Sequence, residues 1–372
     1  MRLAMAALAT SSLLAAGALT ACTNDGGDSG NSGGGNLRRA AAGTGKVGVI
    51  LPDTKTSQRW AIDDPKFLKA AFDEAGVPVD IRNAEGDKQM FVSIADDMIN
   101  SGVRVLMIVN LDSVSGKAVL DKAKAAGIKT IDYDRLTLNG GADYYVSFDN
   151  VGVGVLQGRY LKKCLKDKGY QNPVVAELNG SPTDNNATEF KSGYDSVLQR
   201  MYDQALYTKG PDQSVPDWVN EEGGVIFEQM LEQQPRIRGV LAANDGLANA
   251  VIQVLKERNL NGQVPVTGQD ATVQGLQNIL TGDQCMTVYK AIKPEADEAA
   301  ALAIKLYKGE TPSTTDMVKQ KDPESGAYVW FVKLEPKAID RTNIEDVIKD
   351  GFVQKSLLCK GRFADLCAEA GL

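Results

Sequence analysis

The chain has 372 residues, more than one ordinary core accommodates and enough for about two domains. It carries a net charge of −7 and no histidine. The acidity argues against a nucleic-acid surface, and the missing histidines remove the Ser-His-Asp and Cys-His arrangements and most zinc sites.

In chain order, Arg2 precedes an uncharged apolar run from Leu3 to Leu19, then "LTAC" (Leu19 to Cys22) and "TNDGGDSGNSGGGN". The run is short for a membrane span. Small residues before a cysteine look like the lipobox of a bacterial lipoprotein signal peptide, which implies cleavage before Cys22 and lipidation of its sulfur. The alternative is an ordinary secretory signal with a chance cysteine. Residues 1–21 are expected to be the signal and 22–45 a flexible Gly/Ser-rich tether. Export leaves Cys164, Cys285, Cys359 and Cys367, which allow two disulfides in three pairings. Cys359 and Cys367, close in sequence, are the first pair expected, and four reduced thiols are the alternative.

Strands and helices then alternate. "KVGVIL" (Lys46 to Leu51), "VDIRN" (Val79 to Asn83) and "VRVLMIVN" (Val103 to Asn110) read as strands, the last unbroken and buried. "DPKFLKAAFDEAG" (Asp64 to Gly76) reads as a helix with Pro at its start and Gly at its end. The next helix sets Met90, Ile94 and Met98 four apart on one face. A helix to Gly127, then "IKTIDYD" and "YYVSFD", lead to helical "NVGVGVLQGRYLKKCLKDKG" and the strand "PVVAEL" (Pro173 to Leu178). "RGVLAAND" precedes a helix with Ala248, Val251, Ile252 and Leu255 on one face. "PVTGQD" precedes another helix, and "CMTVYK" a last one from about Pro294 to Gly309. The fold class is therefore α/β, and the β-α units are too many for one sheet. We expect two doubly wound Rossmann-like lobes with parallel sheets.

The strands empty into hydrogen-bonding residues: Asn110, Asp134 with Arg135, Asp149 with Asn150, Asn244 with Asp245, Asp270 and Lys290. The stretch "GSPTDNNATEF" (Gly180 to Phe190) does the same with Asp184, Asn185 and Asn186. Taken singly, each is a turn residue or helix cap. Jointly they suggest a cleft beyond the carboxyl ends of two sheets. Interleaved Asp, Asn, Arg and Lys suit neither a phosphate nor a metal, but they match sugar hydroxyls, which both donate and accept. Trp60 and Trp218 are candidates for the apolar C–H faces of a sugar ring.

These residues carry a resemblance. Residues 46–358 resemble the type I periplasmic sugar-binding proteins of ABC importers, above all the D-xylose-binding branch. The matching stretches are "RW" (Arg59, Trp60), "YDR" (Tyr133 to Arg135), "SFDN" (Ser147 to Asn150), "GSPTDNNA" (Gly180 to Ala187), "AND" (Ala243 to Asp245), "GQDA" (Gly268 to Ala271), "MTVYK" (Met286 to Lys290) and "VIKDGF" (Val347 to Phe352). The resemblance implies a three-crossover hinge, with residues 46–149 and 289–335 in the N-terminal lobe and 150–288 and 336–358 in the C-terminal lobe. It leaves 359–372 as a C-terminal tail. It implies ligand contacts from Arg59, Trp60, Asp134 and Arg135 in one lobe, Asp184, Asn186, Trp218, Asn244 and Asp270 in the other, and Lys290 at a crossover. Arg59 and Arg135 would donate, Asp134 and Asp270 accept, Asn186 and Asn244 do both, and the tryptophans stack. Asn186 is the expected inward-pointing member of its loop. The implied protein is a monomeric, lipid-anchored binding protein on the outer face of the cell membrane. It takes a monosaccharide, hands it to ABC permease subunits by hinge closure, and needs no metal or organic cofactor.

Rival readings are weaker. "GVGVLQG" gives G-x-G-x-x-x-G, one residue off the dinucleotide fingerprint, and the next strand ends without an acidic residue. Its small residues suit close helix packing instead. "GTGKV" fails as a P-loop. A sugar-responsive repressor would need a helix-turn-helix where this chain has a signal and tether. A glycosidase would need an acid and nucleophile across a bond, and nothing in the sequence pairs them. A sensor that presents sugar to a chemoreceptor or kinase remains the closest alternative.

Overall fold

The computed structural model describes residues 45–372, so the signal, Cys22 and all but the last residue of the tether lie outside the described residues. The first lobe begins β1 (Val47–Leu51), α1 (Asp64–Glu74), β2 (Val79–Asn83), α2 (Lys88–Asn100), β3 (Val105–Ile108), α3 (Ser113–Ala125), β4 (Lys129–Tyr133), β5 (Tyr144–Phe148). β1 and β3 are buried along their length, as strands covered by helices on both faces should be. Phe91, Ile94 and Met98 of α2 and Val119 of α3 fill one face of the sheet. Met90, expected beside Ile94 and Met98, is instead 44% exposed. A spacing of four overshoots a 3.6-residue turn, so the three drift round the helix and Phe91 takes the inward place.

The chain crosses at Asp149–Asn150 into the second lobe. Its elements are α4 (Asn150–Asp167), β6 (Val174–Asn179), α5 (Asn185–Asp203), β7 (Thr208–Ser214), α6 (Asn220–Gln233), β8 (Ile237–Ala242), α7 (Asp245–Glu257), α8 (Val273–Thr281) and β9 (Thr287–Tyr289). β6 lies between β7 and β8, parallel to both. "PVTGQD", expected as a strand, makes one parallel bridge, Val266 with Val240, and is otherwise irregular. It still continues the sheet, since Thr267 N donates to Val240 O (3.1 Å) and Val288 N to Gly268 O (3.2 Å). Gly154 of α4 and Gly193 of α5 let these helices touch: a Cβ at either would collide with the carbonyl oxygen of Phe190 or Val151. Gly154 and Gly158 of "GVGVLQG" thus serve packing against α5.

The chain returns after Lys290 as α9 (Ile292–Tyr307), β10 (Val318–Lys321) and β11 (Tyr328–Leu334). Ala296, Ala299, Ala300 and Ala303 of α9 press on Leu68 and Phe72 of α1, covering the other face of the first sheet. That sheet has the order β2-β1-β3-β4-β5-β11-β10, parallel except for the β10–β11 edge. A third crossing leads to β12 (Lys337–Ile339), antiparallel to β9, then α10 (Glu345–Lys349), α11 (Lys355–Leu358) and α12 (Ala364–Glu369). The antiparallel edges depart from the all-parallel expectation. An edge strand reached by a hairpin or a hinge return needs no crossover helix, so nothing forces it parallel.

Residues 359–372, expected as a tail, pack onto the core of this lobe through Cys367. Cys367 and Leu358 pack with Leu276 and Ile279 of α8 and Val347 of α10. All four exported cysteines are paired, Cys359 with Cys367 (Cα–Cα 5.8 Å) and Cys164 with Cys285 (Cα–Cα 6.4 Å). Among the described residues, no helix is long and apolar enough to cross a membrane.

Candidate binding site

The site lies between the two lobes, beside the crossing at Lys290. Arg59 opens a π-type turn (Arg59–Asp63) that runs into α1. Its Nε and Nη2 donate to Asp64 (2.9 and 2.8 Å), Nη2 also to Glu295 of α9 (2.7 Å), and Nη1 to Asp134 (2.7 Å). Tyr133 Oη donates to Asp64 (2.6 Å). Five N–H groups are available to a guanidinium, so this network leaves Arg59 one for a ligand. One cation also serves three carboxylates. Burial pushes the Glu295 carboxyl up, to about 8, against the pull of Arg59.

Asp134 follows β4 with a left-handed backbone (φ 62°), a conformation that Asp tolerates better than most residues. Its carbonyl accepts from Ser147 Oγ (2.7 Å), Tyr145 Oη (3.2 Å) and Asn186 Nδ2 (2.9 Å), which fixes the carboxylate. Burial alone would raise that carboxyl, but the charges of Arg59, Lys290 and Arg135 outweigh it and hold the group down at about 2. Lys290 Nζ lies 3.4 Å from it, near the rings of Phe148 and Phe190.

The second lobe contributes mostly from helix starts. Asp184 caps α5, with Oδ1 accepting from Asn186 N (2.9 Å) and Oδ2 from Trp218 Nε1 (3.1 Å). Asn244 caps α7, with Oδ1 accepting from Leu247 N (2.9 Å), which leaves its amide N–H groups and one lone pair. Asp270 also has a left-handed backbone (φ 99°) and donates its N–H to Val288 O (2.8 Å). Burial pushes its carboxyl up, only partly offset by Lys290 and Arg59. Behind it, Asp245 accepts from Gln284, Thr272 and Thr287, and burial together with the charge of Asp270 raises it to about 7.

Contacts cross between the lobes. Arg135 Nε lies 3.0 Å from Asp184 Oδ2, close but not aligned as a hydrogen bond. Asn186 Nδ2 reaches Asp134 Oδ1 at 3.2 Å. The four residues line a cavity of about 40 Å³.

A model described as periplasmic binding protein domain matches residues 47–311. The chain belongs to this family. The periplasmic binding protein fold of type I is also that of an ABC transporter solute binding protein from Clostridium phytofermentans with bound β-D-glucose. The TM-score is 0.76 at 28% identity, covering 84% of this chain and 99% of that one. The chain is 35% identical over 312 residues to the D-xylose-binding periplasmic protein of Haemophilus influenzae, covering 83% of this chain and 91% of that protein. It is 34% identical over 332 residues to the multiple sugar-binding periplasmic receptor ChvE of Rhizobium radiobacter, covering 85% and 92%.

In this binding protein the cavity wall includes all ten residues singled out in the sequence, from Arg59, Trp60, Asp134 and Arg135 through Asp184, Asn186 and Trp218 to Asn244, Asp270 and Lys290. Four more line it: Thr56, Ser57, Phe190 and Gln269. Gln269 had a signal, since it sits inside "GQDA", and its Oε1 is buried without a hydrogen-bond partner. Phe190 looked like ordinary helix core. Glu295 and Asp64, which hold Arg59, had none, because a carboxylate on a helix usually marks its solvent face. Asn110 stands behind the wall, donating to Arg135 O (3.2 Å) and Thr137 Oγ1 (2.9 Å). Asp149 caps α4, accepting from Gly152 N (2.9 Å). Among the described residues, no group of three or more histidine, cysteine or carboxylate side chains is arranged to hold a metal ion.

Proposed function

We propose that this protein is the sugar-binding lipoprotein of an ABC importer, that its ligand is a monosaccharide, and that D-xylose is the first candidate. The observation that carries the reading is the composition of the cavity. Buried carboxylates, guanidinium, ammonium and amides from both lobes converge on one point beside Trp60, Trp218 and Phe190. Such a wall matches a polyol ring, with ionised Asp134 accepting, Arg135 and Lys290 donating, and the amides of Asn186 and Asn244 completing the shell. The names of the relatives, D-xylose-binding and multiple sugar-binding, point the same way.

No bond is made or broken in this reading. A sugar takes the partners that Arg135, Asp184, Asn186 and Asp134 now find in each other across the lobes. Because it bridges both lobes, it binds a closed arrangement better than an open one and shifts the population towards it. The permease reads the closed shape, and Cys22 carries the lipid that holds the protein at the outer face of the membrane. A sensor role has one observation in its favour, the receptor among the relatives.

The test is calorimetric titration of residues 46–372 with xylose, glucose, ribose, arabinose and galactose, alongside Asp270→Ala and Arg135→Ala. One-to-one binding of xylose, lost in both variants, supports the whole reading. Binding of another sugar, lost in both, corrects the ligand alone. Binding of none of the five removes the reading.

A further inference from the structure

Beside the sugar cavity lies a much larger space of about 520 Å³, within the range of small-ligand pockets. The two are neighbours rather than separate features, because Thr56, Arg135, Asp184 and Trp218 line both. Its remaining wall combines apolar Leu111 and Val219 with charged Lys55, Glu85 and Glu221. It draws on both lobes, so it belongs to the same cleft.

The partition between the two spaces is built at a cost in backbone strain. Asp217 and Trp218 are consecutive non-glycine residues with left-handed backbone (φ 49° and 60°). Such residues are strained and persist where the surroundings over-determine them. Here the strain folds the Trp218 indole over Gly180, where any Cβ would collide with the ring. Its Nε1 is tied to Asp184, and the side chain is 6% exposed. An indole needed only for one ring could be held by ordinary packing. This one is held where it forms part of the wall of both spaces.

We propose that the larger space is a second glycosyl subsite, and that the protein binds disaccharides with one ring in the sugar cavity and the other against Trp218, Leu111 and Val219. The inference rests on the reading of the cavity as a sugar site. A site that accepts single rings only would close around every hydroxyl. This one adjoins the larger space at Thr56, Arg135, Asp184 and Trp218, which line both. The aromatic and aliphatic surface suits the C–H face of the second ring, and charges of both signs suit its hydroxyls.

The experiment is calorimetry with D-xylose, xylobiose, D-glucose, cellobiose, sophorose and laminaribiose on the parent protein, Val219→Trp and Leu111→Trp. Neither Val219 nor Leu111 lines the sugar cavity, and a tryptophan at either would take up part of the larger space. The expected result is a disaccharide bound within about tenfold of its monosaccharide, weakened about 30-fold or more in either variant, while the monosaccharide stays within about threefold. Binding of a disaccharide without its monosaccharide, lost in the variants, also supports the subsite and corrects the function proposed above. Monosaccharide binding with no disaccharide bound overturns it, as does disaccharide binding that both variants leave unchanged. No binding by any of the six sugars removes the sugar reading and this one together.

Discussion

The two halves of the cavity wall are held by different means. On the first-lobe side the wall is a buried charge network: Arg59 joins Asp64, Asp134 and Glu295, and each partner comes from a different part of the chain. On the second-lobe side it is local structure: Asp184 and Asn244 double as helix caps, α4 and α5 meet through Gly154 and Gly193, and two disulfides clamp the periphery. The difference shows in two carboxylates that look alike. Asp134 is buried and Asp270 half-buried, both with left-handed backbone, yet three cations hold Asp134 low while desolvation raises Asp270. One wall presents a carboxylate that cations hold down, and the other a carboxylate that desolvation pushes up.

The largest effect expected from breaking this contrast is at Arg59. Arg59→Met leaves three buried carboxylates without their guanidinium and should cost about 3–5 kcal/mol of stability in denaturant melts. A loss under about 1 kcal/mol would mean that the first-lobe wall does not depend on the network.

Next come the disulfides of the second lobe. Cys164 and Cys285 are 121 residues apart and Cys359 and Cys367 are 8 apart. Replacing the first pair by serine should cost about 2–5 kcal/mol and replacing the second distinctly less, because the longer loop restricts the unfolded chain more. Equal losses would show that packing, not chain entropy, sets their value.

The sharpest test sets the two carboxylates against each other. With its folded value depressed, Asp134 contributes stability above the unfolded value near 3.9, and that contribution is lost as pH falls towards about 2. With its folded value raised, Asp270 costs stability once pH exceeds the unfolded value. At neutral pH, Asp134→Asn should therefore destabilise by about 1–3 kcal/mol, and Asp270→Asn should be neutral or stabilising. Both should weaken sugar binding about tenfold or more. If both destabilise alike, the contrast between the walls is wrong.

The smallest effect is on pH dependence. Burial raises Asp132 and Asp245 to about 7 and Glu295 to about 8. Between about pH 4 and these values the folded chain holds more protons than the unfolded one, so stability falls as pH rises. Scanning calorimetry should give a Tm at least about 2 °C higher at about pH 5.5 than at about pH 8. The opposite order would show that these groups stay ionised.

The legibility of the sequence differed along the same line. The second-lobe wall is local, so "GSPTDNNA" and "AND" announced polar residues at strand ends, and the polar-cap alternative was also true of Asp184 and Asn244. The first-lobe wall is not local. Arg59 was picked out as a donor to sugar, but three of its hydrogen-bonding partners, Asp64, Asp134 and Glu295, lie 5, 75 and 236 residues away. Met90 lies off the buried face because a spacing of four drifts round a 3.6-residue helix. The tail misled because nothing in its sequence said which surface it would cover.

By itself the sequence determined the alternation of strands and helices, the polar character of the strand ends and the kind of chemistry those ends offer. Residue type limits how many hydrogen bonds a side chain makes, and periodicity decides which face is buried. The tertiary structure alone decided who uses those bonds. It committed most of Arg59 to three carboxylates and half of Asn244 to a cap, set Asp134 and Asp270 apart, paired Cys164 with Cys285, and opened a second space beside Trp218. The reason is that hydrogen bonds and charges act over a few ångströms of space, and such distances between residues far apart in sequence exist only once the chain is packed.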